Sequence, residues 1–177
     1  MAVPRSWKDA DGVVATREFL AQPPPRKATI RDLMKELVSP DPYTCRCAAD
    51  LARRVSAREP GIFDQYADVL IDLAAELPLP QWQARGYVTL TAALNATTHA
   101  QRMQLADLVR VMTRDERNAV RAMALEAFAI LALAEPGLRD EAIALLEYAR
   151  REGTCAMRSR ARRMLPPLLA AEIQIRS

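Results

Sequence analysis

Apolar residues recur at i, i+3, i+4 and i+7 along most of the chain, the spacing that lines one face of an α-helix. The stretch after Gly61 is representative. Tyr66, Val69, Leu70, Leu73 and Leu77 read as one apolar stripe, with Asp64, Asp68, Asp72 and Glu76 opposite them. Helix breakers cut the pattern at Pro40/Pro42, Pro60-Gly61, Pro78/Pro80, 95–98, 113–115, Pro136-Gly137, Gly153 and Pro166-Pro167. Segments of about 15 to 20 residues lie between them, ordinary helix lengths. The pattern therefore predicts an all-α protein.

The segments also match one another. Counting from Cys45, the core positions at +3, +6, +7 and +10 are Ala48, Leu51, Ala52 and Val55. The same offsets from Ala84 give Tyr87, Leu90, Thr91 and Leu94. From Arg121 they give Ala124, Ala127, Phe128 and Leu131, and from Arg158 they give Ala161, Met164, Leu165 and Leu168. The four reference positions are separated by 39, 37 and 37 residues. The intervening helices keep register as well: Tyr66, Val69, Leu70 and Leu73 correspond to Leu105, Leu108, Val109 and Met112, then to Ala142, Leu145, Leu146 and Ala149. One helix pair cannot bury its apolar stripe alone, whereas stacked pairs share a continuous core.

This two-helix period resembles the HEAT-repeat family. The run Val120-Arg121-Ala122-Met123-Ala124-Leu125-Glu126-Ala127-Phe128-Ala129-Ile130-Leu131 is close to the family's first helix. Met157-Arg158-Ser159-Arg160-Ala161-Arg162-Arg163-Met164-Leu165 is a second match, and Ser39-Pro40-Asp41-Pro42-Tyr43 is similar to its opening turn. The resemblance covers residues 29–169. It implies a right-handed α-solenoid of antiparallel helix pairs, with about 3.5 repeats and helical caps. It also implies an Arg ladder between repeats, to which Arg158 would belong; Arg46 and Arg85 lie one position late and interrupt it. Residues 1–28 are expected to form an N-terminal arm, with a capping helix over 11–21 and an extended link at Pro23-Pro24-Pro25. Residues 29–177 form the solenoid domain, opening with a helix over 30–38 capped by Thr29.

Composition supports helices over strands. Aromatics are 5% and there are only 5 Gly in 177 residues, too few for a barrel or sandwich. No h-region of a secretory signal is visible in the first twenty residues, and the longest apolar run, 127–134, is short of the roughly 20 residues a bilayer needs. Three unpaired-looking cysteines, Cys45, Cys47 and Cys155, fit a reducing, cytoplasmic compartment. Cys45 and Cys47 point to different sides of one helix and read as structural thiols, with no second Cys or His pair to complete a metal site. His99 is the only histidine and reads as a solvated residue between helices. Asn95-Ala96-Thr97 matches a glycosylation sequon, which carries no meaning without secretion. No phosphate loop, nucleophile elbow or dinucleotide fingerprint occurs, so neither cofactor nor metal is expected and the chain does not read as an enzyme.

Charge supplies the candidate surfaces. The net charge is +3, but residues 150–177 carry +5 and the remainder −2. Asp64, Asp68, Asp72 and Glu76 lie four apart, so like charges stack along one helix side at a cost of about 0.2–0.5 kcal/mol per pair. A row that costs local stability suggests a docking strip for a basic protein partner, with Ile71 exposed beside it. The resemblance would place it on the concave surface. Arg160, Arg162 and Arg163 form a basic patch suited to phosphate or carboxylate. The alternative is nucleic-acid binding through that end, since some HEAT-like proteins are DNA-repair glycosylases. A monomer or weak homo-oligomer is expected, with Leu168, Leu169, Ile173 and Ile175, after Pro166-Pro167, folding back as a short final helix or docking another subunit.

Overall fold

The computed structural model of the chain describes residues 27–176. Eight α-helices occur among the described residues, and no strand: α1 Lys27–Leu37, α2 Pro42–Arg58, α3 Ala67–Glu76, α4 Trp82–Asn95, α5 His99–Met112, α6 Asn118–Ala134, α7 Arg139–Glu152 and α8 Cys155–Arg176. Short 3-10 turns at Asp64–Tyr66, Leu79–Gln81 and Pro136–Leu138 precede α3, α4 and α7. The expected helix over 11–21 and the triple-proline link lie outside the described residues. No helix among the described residues is long and apolar enough to cross a membrane.

Local chemistry explains the boundaries. Asp41 caps α2, its carboxylate accepting from the Thr44 N–H at 2.9 Å, and Pro42 occupies the first turn, where a missing N–H costs nothing. Thr98 and Gln101 form a reciprocal capping box on α5. Gly61 adopts a positive φ of 88° in the turn leaving α2, a conformation that side chains strain to reach. Three arginines satisfy carbonyls at helix C-termini. Arg85 donates to Ala74 O at 2.7 Å, Arg102 to Ala96 O and Thr97 O, and Arg139 to Ala132 O and Leu133 O.

Helices α2, α4, α6 and α8 form a row, each packing against the next. Helices α1, α3, α5 and α7 each pack against the row helix that follows them, and α3 also touches α5. Every repeat-equivalent position in the row is buried or half-buried, from Ala48, Leu51, Ala52 and Val55 to Ala161, Leu165 and Leu168. The inner row helices bury more than one stripe. On α4, Gly86, Thr89 and Ala93 are buried too, and a Cβ at Gly86 would lie 2.3 Å from Met123 Cε. Glycine there lets α4 and α6 approach closely.

Four expectations are corrected by this packing. Thr29 is not the cap of α1, because the helix already begins at Lys27. The core face of α3 is rotated: Ala67, Leu70, Ile71 and Ala74 are buried, while Val69 is 47% exposed. Helix α3 lies between α4 and α5, so its apolar face is set by two neighbours, not one. Pro166-Pro167 does not break the chain, and α8 runs through both residues for 22 residues. Both prolines are on the solvent side, where water can take the carbonyls they free, while Met157, Ala161, Leu165 and Leu168 hold the helix down. The Arg ladder also differs. Arg46 donates across to Gln83 Oε1 at 3.4 Å, whereas Arg121 and Arg158 bond within their own helices, to Asn118 and to Cys155 Sγ.

One polar node joins the first half of the row. Asn95, at the end of α4, is 2% exposed. Its Nδ2 donates to Ser56 Oγ at 2.9 Å and Thr91 O at 2.6 Å, and its Oδ1 accepts from the Phe63 N–H at 2.9 Å. The residue read as a breaker and a sequon is thus an interior clamp between α2, α4 and the turn before α3.

Candidate interaction surface

The acidic row is present but bent. Asp64 lies in the 3-10 turn before α3, and Asp68, Asp72 and Glu76 follow on the helix itself. All four are exposed. Ile71, expected beside them at the surface, is 2% exposed and belongs to the core. Val69 takes its place as the apolar neighbour of the row.

Several carboxylates among the described residues meet an arginine. Asp50 pairs with Arg53 and Arg54, Glu126 with Arg160 and Arg163, Glu135 with Arg102, Glu141 with Arg110, and Glu147 with Arg150. Asp64, Asp68, Asp72 and Glu76 make no ion pair among the described residues. Asp68 accepts one hydrogen bond, from the neutral Gln101 Nε2 at 2.8 Å. The row's four carboxylates face solvent, and among the described residues no cation offsets the repulsion between them.

The basic patch divides. Arg160 Nε donates to Glu126 Oε2 at 3.0 Å, and Arg163 bonds the other oxygen of the same carboxylate. Glu126 precedes them by 34 and 37 residues, on the neighbouring row helix α6. Arg162 is exposed on another side of α8 and has no partner among the described residues.

Other polar groups pair across the molecule. His99 is the first residue of α5, not part of a connection, and its Nδ1 lies 3.0 Å from Glu135 Oε2. The bond from Arg102, then that from His99, holds the Glu135 carboxyl below its usual range. Arg110 likewise holds Glu141 low. Cys45 is fully buried and donates to Leu37 O at 3.1 Å, and burial pushes its thiol up to about 11. No group of three metal-binding side chains occurs among the described residues. A pocket of about 240 Å3 lies between the first turns of α2 and α4, with Tyr43, Arg46 and Gln83 in its wall; sequence patterning gave no sign of it.

Helices α3, α5 and α7 each keep one large apolar residue at the surface: Val69, Val111 and Tyr148. No family model, no curated protein and no solved structure matches this chain.

Proposed function

We propose that the protein is a HEAT-like, right-handed α-solenoid that acts as a non-catalytic interaction module, taking a basic protein partner on the face of α3, α5 and α7. The shared register of the row supports the solenoid. So do polar links between its neighbouring units, whose partners lie 37 residues apart for Arg46 and Gln83 and 39 for Ser56 and Asn95. The observation that carries the interaction reading is the row Asp64, Asp68, Asp72 and Glu76, which has no cationic partner among the described residues. A partner's Lys or Arg side chains would relieve the repulsion, and Val69, Val111 and Tyr148 would add apolar contact. Nucleic-acid binding has less support, because Glu126 already neutralises part of the basic patch and the carboxylate row repels phosphate.

The test is charge reversal. A partner is isolated on the wild-type protein from its native source, after nuclease treatment. Asp68→Lys with Asp72→Lys is expected to lose that partner while the far-UV dichroism and melting temperature stay unchanged. Equal capture by the variant would remove the row as the site, and capture abolished by nuclease would favour nucleic acid.

A further inference from the structure

The cations that fit the acidic row occur on the same chain. Six arginines lie in the stretch from Arg150 to Arg163. Arg150 is held by Glu147, and Arg160 and Arg163 share Glu126. The other flank of α8 carries Arg158, Arg162 and Leu169. At about 100° per residue these three fall within about 40° of one another. Arg158 is half-buried, its one hydrogen bond the 3.5 Å contact to Cys155 Sγ. Arg162 is exposed, and Leu169 is 42% exposed.

We infer that this flank of α8 in one copy docks on the Asp68–Asp72–Glu76 row of a second copy, so that the protein self-associates head to tail. The inference rests on reading the row as a docking strip, and it names the occupant. The spacing matches: Arg158 and Arg162 are four residues apart, as are Asp72 and Glu76, and each interval is about 6 Å along its helix. Run antiparallel, the two helices set Arg162 against Asp72 and Arg158 against Glu76. Leu169 then points along α3 toward the Val69 end. Arginine forks form paired bonds with carboxylates, and the apolar pair limits water at one end. Donor and acceptor surfaces are different patches of one chain, so the contact is heterologous. It leaves an unused acidic strip at one end and an unused basic flank at the other, and growth continues unless a ring closes.

The experiment is sedimentation of the full-length protein at low ionic strength. The weight-average mass is expected to rise with concentration without levelling at a dimer. It should return to the monomer at roughly 0.5 M salt, where the screening length is only about 4 Å. Two variants give the decisive readout. Asp68→Lys with Asp72→Lys removes only the strip, and Arg158→Ala with Arg162→Ala removes only the flank. Each alone is expected to be monomeric, and their mixture to form a 1:1 dimer that grows no further. A wild type that stays monomeric into the sub-millimolar range, or a mixture that fails to pair, overturns the second-copy assignment. A synthetic helical peptide with arginines four residues apart separates the two ideas. Peptide binding that the strip variant loses, without self-association, leaves the basic-partner reading standing. Absence of both overturns the two together.

Discussion

Removing the Asn95 side chain is expected to destabilise the fold more than removing any surface charge. The Asn95→Ala variant leaves the Phe63 N–H without the acceptor it now has at 2.9 Å, and takes the Nδ2 donor from Ser56 and from Thr91 O. Ser56 is fully buried, so water does not replace the bond. An unsatisfied buried N–H costs about 1–3 kcal/mol, and each lost hydrogen bond about 0.5–1.5 kcal/mol. Thr91 O keeps part of its bonding as a helical carbonyl, so the total is about 3 kcal/mol. For a domain of this size that lowers the melting temperature by roughly 6–12 °C. Urea unfolding followed by far-UV dichroism measures it, with an unchanged slope confirming that the unfolded state is the same. Ser56→Ala alone is expected to cost about 1 kcal/mol, and the double variant less than the sum, because one shared bond is lost only once. A loss below about 0.5 kcal/mol for Asn95→Ala, or strict additivity with Ser56→Ala, would refute the clamp.

Two further outcomes follow from the packing. Pro167→Ala is expected to stabilise the protein by about 1–3 kcal/mol, because the exposed ring buries little and alanine restores a helical N–H donor; a lower melting temperature would show that the ring is needed. Burial raises the Cys45 thiol to about 11 from 9.0. The folded state thus holds its proton longer than the unfolded state, and the stability this contributes is present below about pH 9 and lost as pH rises toward 11. Unfolding curves across that window should decline, and more shallowly in Cys45→Ala. An identical decline in both would assign the alkaline loss to other groups.

The recurrence of apolar residues at helical spacing, in a register repeated at Cys45, Ala84, Arg121 and Arg158, was sufficient to specify an all-helical chain and most of its core. Periodicity is a local property, and hydrophobic burial follows it wherever a helix has one apolar face. Asp41, Pro42 and the exposed positions of Asp68, Asp72 and Glu76 were legible for the same reason. The rest depended on contacts between distant segments. Ile71 is buried and Val69 exposed because α3 lies between two helices, and a face shared by two neighbours is rotated from the one that spacing alone suggests. Asn95 is an interior clamp because Ser56 and the Phe63 amide reach it across a repeat. Arg160 and Arg163 are neutralised, and Arg162 is not, because Glu126 stands on one flank of α8. A charge on a helix surface has a meaning only when its cross-chain neighbours are known, since Coulomb attraction and desolvation depend on distances that the linear chain does not contain.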